Sequence, residues 1–222
     1  AAAINTLGVL YIVENGNTVN SLEDLKGKTV YSTGKGTTPE YALNYLLTSN
    51  GIDPQKDLTI EYKAESTEVA AVLASTPDAI GVLPEPFVTV AKSKNENLRD
   101  AISFGDEWKK INGEELVTGV LIVRNEFLEN NQGAFETFLS EYKASTEFTK
   151  SELDAAAELV GKYEIVPAPV AKIAIPKSNI TFIAGEDMKA NLGAYLKILF
   201  EQDPKSVGGK LPGEDFYFMN QK

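Results

Sequence analysis

"TVYSTGKGTTPEYALNYLL", Thr29 to Leu47, decides how the chain is read. It reads as a strand, a loop carrying Gly34 and Gly36, and a helix that opens at Thr38 and Pro39. Thr38 suits the N-cap and Pro39 the first helical position, where a missing N–H costs nothing. A strand delivered straight into a helix is the first half of a βαβ unit.

Working outward, the alternation continues. A strand over Lys28–Ser32 leads to a helix over Pro39–Ser49, then strand Leu58–Lys63, helix Thr67–Ala74, strand Ala79–Leu83, helix Pro86–Lys92 and strand Ala101–Phe104. Such alternation implies right-handed βαβ units and a mostly parallel sheet. The boundary chemistry agrees: Asn50-Gly51 closes the first helix as a left-handed cap, and Asp53-Pro54 begins the next turn. Leu58, Ile60 and Tyr62 alternate with Thr59, Glu61 and Lys63, as in a half-exposed strand.

Two near-matching apolar runs bracket this block, "LGVLYIV" at Leu7–Val13 and "TGVLIV" at Thr118–Val123. A chain that enters a domain by one strand and leaves by an adjacent one makes a two-stranded hinge. Gly8 and Gly119, at corresponding places, would then admit a close approach. The same pattern also fits two ordinary central strands with bulge glycines. Beyond Val123 the character is helical: Phe135, Phe138, Leu139 and Tyr142 share a face, as do Leu153, Ala157 and Val160, then Met188, Leu192, Tyr195, Leu196 and Leu199. No strand run follows that is long enough to build a sheet for these helices to cover.

Composition narrows the function. The 222 residues, 43% hydrophobic, are enough to bury a sizeable core. With 32 acidic against 21 basic residues, the net charge of −11 argues against nucleic acid and anionic membrane as partners. Cysteine and histidine are both absent, which removes thiolate and imidazole catalysis, disulfides and ordinary zinc sites. No cofactor, metal or catalytic residue is expected.

In that setting the ordered series of segments resembles bacterial ABC-transporter substrate-binding proteins of the nitrate/sulfonate/taurine and thiamine-pyrimidine-precursor group. The residues that carry the resemblance are "SLEDLKGKTVYSTGKGTTPEYALNYLLTSNGIDPQKDLTI" from Ser21, "PDAIGVLPEPFVTVA" from Pro77, and "TGVLIVRNEFLENNQGAFETFLSEY" from Thr118. It implies a type II periplasmic-binding-protein fold, with two α/β lobes joined by a two-stranded hinge. Residues 1–20 would end lobe one and supply the first hinge strand, 21–115 would form a complete lobe two, and 116–222 would return to the helical part of lobe one. The family opens with a lobe-one segment that has no counterpart before Ala1, more than one βαβ unit at about 30 residues each. The chain is therefore expected to be a truncated piece, with self-association through the uncovered lobe-one face. The implied function is extracytoplasmic solute capture for an ABC permease, membrane-anchored as a lipoprotein in full-length form. A pyrimidine-precursor biosynthetic enzyme or the effector domain of a regulator are the alternatives on the same fold. The family enzymes rely on histidine and cysteine, which this chain lacks.

The resemblance marks a candidate ligand site. Gly34, Lys35, Gly36, Thr37 and Thr38 lie at the carboxyl end of a strand, where helix-start N–H groups attract acceptor atoms. They do not form a P-loop, because Lys35 precedes the second glycine, and Pro39 stands where a third glycine would complete G-x-G-x-x-G. A tight turn with a helix cap accounts for them equally. Glu85, in Pro84-Glu85-Pro86, either accepts hydrogen bonds from an amine or ring N–H of a solute, or supplies charge to a helix start. Thr6 and Thr118, with Asn5, are polar groups beside the hinge strands that could also bond locally. Trp108 with Lys109-Lys110 reads as surface packing on an amphipathic segment. Glu23 and Asp24 suit the first turn of a short helix capped by Ser21.

Overall fold

A computed structural model describes residues 1–219. The chain divides into two compact units, residues 8–116 and residues 1–7 together with everything from Val117 onward.

The first strand, β1 (Ala3–Leu7), belongs to the second unit; in the first, the sheet is built from β2 (Leu10–Asn15), β3 (Thr29–Ser32), β4 (Thr59–Tyr62), β5 (Ile80–Pro84) and β6 (Leu98–Ser103), in the order β4-β3-β5-β2-β6. β3 runs parallel to both β4 and β5. β2 lies antiparallel between β5 and β6, so the sheet is parallel but for one strand. The connecting helices are α1 (Thr38–Ser49), α2 (Ser66–Ser75), α3 (Phe87–Lys94) and α4 (Phe104–Asn112). One cluster gathers Val13, Leu83 and Leu98 from the sheet with Val69, Leu73, Val88 and Ala91 from α2 and α3. Gly81 is what lets α2 sit down, since a Cβ there would fall 2.8 Å from Val69 Cγ1.

Trp108 corrects the expectation of a surface residue. At 2% exposure it is among the largest buried side chains, its ring 4.6 Å from that of Tyr45 in α1. The Tyr45 hydroxyl donates to Asn112 Oδ1 at 2.6 Å, tying α1 to the end of α4. The amphipathic pattern was real, but its apolar side holds the indole and its polar side the lysines. Phe104, expected at a strand end, opens α4 instead, with Ser103 as N-cap.

The second unit carries a three-stranded antiparallel sheet, β7 (Val117–Leu121), β1 (Ala3–Leu7) and β8 (Ile180–Ile183), with β1 in the middle. Around it lie α5 (Asn125–Ser151), α6 (Leu153–Lys162), α7 (Ala168–Ala174) and α8 (Gly185–Gln202). Ala2, Phe135 and Leu139 form a core with Leu121, Val123, Leu128, Phe182 and Phe218 packed on it. Met188, Leu192, Tyr195 and Leu199 are the buried stripe of α8.

Two sequence expectations are corrected by this unit. "ITFI" at Ile180–Ile183 is a strand, so the helices beyond Val123 do have a sheet to cover. The run Leu7–Val13 is not one strand, because β1 ends at Leu7 and β2 begins at Leu10. Gly8 sits at the break, where a Cβ would come 2.9 Å from Gly105 Cα. Gly119 is not its counterpart, since Gly119 pairs with Thr6, and a Cβ on it would meet Asn5 Oδ1 at 2.5 Å.

Candidate functional site

Parallel neighbours end on the same edge of a sheet, so the carboxyl ends of β3, β4 and β5 share one edge. β6 also ends there, because Tyr11 near the start of the antiparallel β2 pairs with Leu83 on one side and Ser103 on the other. Helices α1, α2, α3 and α4 follow these four strands directly, so all four present their N-termini, with the positive dipole end, to this edge.

The loop after β3 is tightly ordered. Gly34 and Gly36 have φ of +70° and +78°, the left-handed region that glycine enters without strain. Thr37 is the N-cap, and Thr38 and Pro39 are the first helical residues, one position earlier than the sequence suggested. Thr37 is tied back to the loop instead, its N–H and hydroxyl both donating to the Gly34 carbonyl at 2.9 and 2.6 Å. The Gly36 N–H donates to Glu40 Oε2 at 2.5 Å. The Lys35 ammonium lies 5.7 Å from the centre of the Tyr62 ring. Lys35, Glu40, Asn44, Gln55, Thr59 and Tyr62 line a cavity of about 420 Å³ along β4.

Glu85 lies on the same edge, at the end of β5. It is 7% exposed, and its carboxylate accepts from the Thr89 N–H at 3.2 Å and the Thr89 hydroxyl at 3.0 Å. Its backbone N–H donates to the Val9 carbonyl at 3.0 Å, which fixes the loop to the start of β2. The fold therefore brings Gly34–Thr38 and Glu85 to one edge of one sheet. Thr6 and Thr118 belong to the other unit, on the paired strands β1 and β7. Thr6 Oγ1 donates to Asn5 Oδ1 at 3.2 Å, and Asn5 Nδ2 to the Tyr142 hydroxyl at 2.9 Å. Thr118 Oγ1 is buried with no hydrogen-bond partner among the described residues.

Sequence reasoning passed over three side chains at the carboxyl edge. Burial pushes the Tyr11 hydroxyl up to about 12, helped by the negative charges of Glu85, Asp100 and Asp106. Tyr62 is raised as well, by burial first and then by the charge of Glu40 and a hydrogen bond to it. Glu40 joins that tyrosine to the glycine loop. A spacing of four, Gly36 to Glu40, was the signal available in the sequence.

The comparisons with known proteins bear on this arrangement. Residues 1–156 match the model of the family described as NMT1/THI5 like. The chain belongs to that family. No curated protein sequence matches it. Among solved structures, this NMT1/THI5-like chain is similar to an ABC transporter protein from Parabacteroides distasonis, with 21% identity, a TM-score of 0.76, and coverage of 99% of this chain and 74% of that one. It is also similar to the periplasmic aliphatic sulphonate binding protein SsuA from Escherichia coli, at 17% identity and a TM-score of 0.74, covering 96% and 69%. A third likeness is to the ligand binding component of an ABC-type import system from Staphylococcus aureus, at 15% identity and a TM-score of 0.68, covering 98% and 70%. The fold class is the mixed α/β architecture of type II periplasmic binding proteins.

Proposed function

We propose that this NMT1/THI5-like chain is the solute-binding component of an ABC importer, which captures a small molecule outside the cytoplasm and delivers it to a permease. The observation that carries the reading is a fold shared over nearly the whole chain with an ABC transporter protein and a periplasmic sulphonate binding protein. In this reading residues 21–115 act as lobe two, 1–20 and 116–222 as the hinge strands and part of lobe one, and a lipoprotein anchor holds the full-length form at the membrane. None of the helices among the described residues is long and apolar enough to cross a membrane.

Gly34, Lys35, Gly36, Thr37, Thr38 and Glu85 are the solute contacts of the 8–116 unit, at its carboxyl edge, and Thr6 and Thr118 are those of the other unit, each taken by itself. The buried, unpartnered hydroxyl of Thr118 supports its inclusion, because such a group costs about 1–3 kcal/mol unless something satisfies it. Binding does the work and no bond of the solute changes. Exposed Ile122, Tyr163, Ile165 and Ile173 offer apolar surface for self-association. Light scattering showing only monomer, together with no binding of a hydrophobic dye, counts against that part.

A thermal-shift screen of small solutes, repeated with Lys35→Ala and Glu85→Ala, tests the site. A stabilising solute whose effect shrinks in both variants is the expected result. Equal affinity in wild type and both variants removes Lys35 and Glu85 from it.

A further inference from the structure

An open sheet edge carries a row of unpaired N–H and C=O groups that another strand can satisfy, and natural edges are ordinarily blunted by charge. Each sheet here ends in two such edges, and three of the four are blunted. In the 8–116 unit, β4 carries Glu61 with Lys63 just beyond it, and β6 carries Arg99 and Asp100. In the other unit, the cavities beside β8 have Lys143 and Lys150 in their walls, and the four residues of β8 are all half-buried. The remaining edge, β7, has none of these devices. From Leu116 to Val123 the chain carries no charge and no proline. Val120 is 37% exposed, Ile122 just past the strand 68%, and Phe127 in the first turn of α5 42%. Among the described residues only β1 pairs with β7. The register irregularities of that pairing lie toward Leu7, while Val120 and Leu121 pair with Ile4 and Ala3 in step.

The charges at the two ends of this neutral stretch say what fits it. Glu114 and Glu115 precede it and Arg124 follows it. Glu115 is already paired with Lys109, whereas Glu114 and Arg124 are both exposed. A second copy laid antiparallel sets the carboxylate end of each chain beside the guanidinium end of the other, twice over by two-fold symmetry; a parallel copy sets like charge beside like. The net charge of −11 repels another copy from most of the surface, so an uncharged strand is where approach costs least. We propose that two copies of this chain associate edge to edge through antiparallel β7 strands, joining their three-stranded sheets into one of six. The inference rests on the self-association reading above and assigns its surface to one strand. Backbone bonds along β7 form the ladder, Val120 and Ile122 pack against the other copy, and Glu114 and Arg124 close both ends. Such a contact is small beside a standard interface of about 1,600 Å², so the pairing is weak and depends on concentration.

The test is sedimentation velocity of the full chain over a range of concentrations, with amide hydrogen exchange on the same samples. The expected result is a monomer–dimer equilibrium in which the β7 amides gain protection as the dimer fills. Arg124→Glu turns two attractive contacts repulsive and is expected to weaken association about tenfold, and Glu114→Arg added to it is expected to restore the dimer. Ile122→Lys is expected to weaken association as well, and Ile165→Ser and Ile173→Ser, on the α6–α7 hairpin, to weaken it less. Association that persists in Arg124→Glu and Ile122→Lys but is lost in the hairpin variants overturns the inference and leaves the self-association reading standing. A dimer with no added protection on β7 does the same, and so does a double variant that associates no more tightly than Arg124→Glu alone. Monomer at every concentration, with no hydrophobic dye bound, removes the self-association reading and this inference with it.

Discussion

The two units solve the problem of apolar surface differently. In the 8–116 unit, four helices follow the strands of a five-stranded sheet, and the described residues include one exposed large apolar side chain, Ile111, at 37%. The other unit, with its three-stranded sheet, leaves Ile122, Tyr163, Ile165 and Ile173 at 57% exposure or more. The first unit buries Trp108 and Phe104 completely, whereas the second turns a face of the α6–α7 hairpin and the end of β7 to solvent. The lesson is that apolar exposure is divided along the chain: one unit closes over nearly all of its large apolar side chains, and the other leaves several of them at the surface.

Cutting into the closed unit should have the largest effect. Trp108→Ala removes a buried ring packed at a tilt against Tyr45 and is expected to cost about 3–5 kcal/mol, read as a shift in the urea midpoint. A loss under about 1 kcal/mol breaks the contrast between the units.

Arg99→Ala comes next. Glu14 is fully buried, and burial on its own raises its pKa, but hydrogen bonds from Thr18, Val19 and Arg99 outweigh that and the carboxyl ends below its ordinary value. Arg99 Nη2 lies 2.8 Å from Glu14 Oε2. Because Thr18 and Val19 would remain, the expected cost of Arg99→Ala is about 2–3 kcal/mol, short of a fully abandoned buried charge. Since the folded pKa of Glu14 is depressed, its contribution is present above the unfolded carboxylate value and lost as pH falls through the folded one. Acid melts of Glu14→Gln should accordingly be flatter than those of wild type.

A smaller effect is expected from Tyr11 at high pH. With its hydroxyl raised from 10.0 to about 12, both folded and unfolded chains keep the proton below pH 10, and the unfolded chain releases it first above that. Stability should therefore decline between pH 10 and about 12, less steeply in Tyr11→Phe, as followed by melting temperature. Identical slopes would show that folding does not raise the Tyr11 hydroxyl. Least of all in stability, Ile122→Ser and Tyr163→Ser should stay within about 0.5 kcal/mol of wild type while lowering dye binding and any self-association. A large loss of stability in either would mean that these side chains are structural after all.

Legibility in the sequence followed the same division. The strand, loop and helix order of Thr29–Leu47, the left-handed Gly51 with φ of +69°, and the capping box at Ser21 and Asp24 were readable because each is set within a few residues. "ITFI" escaped notice because its residues are all half-buried and only pairing with β1 makes them a strand. The break at Gly8 was hidden inside a continuous apolar run, where periodicity has no feature to detect.

What the sequence determined by itself was therefore the α/β alternation, the absence of thiol and imidazole chemistry, and a glycine loop at a strand's carboxyl end. Tertiary structure alone decided that Gly8 must meet Gly105, that Trp108 faces inward, and that Ile180–Ile183 becomes a strand by pairing with β1. Local propensities act over a few neighbouring residues. Which groups a strand or a ring packs against depends on what folding brings together from distant parts of the chain.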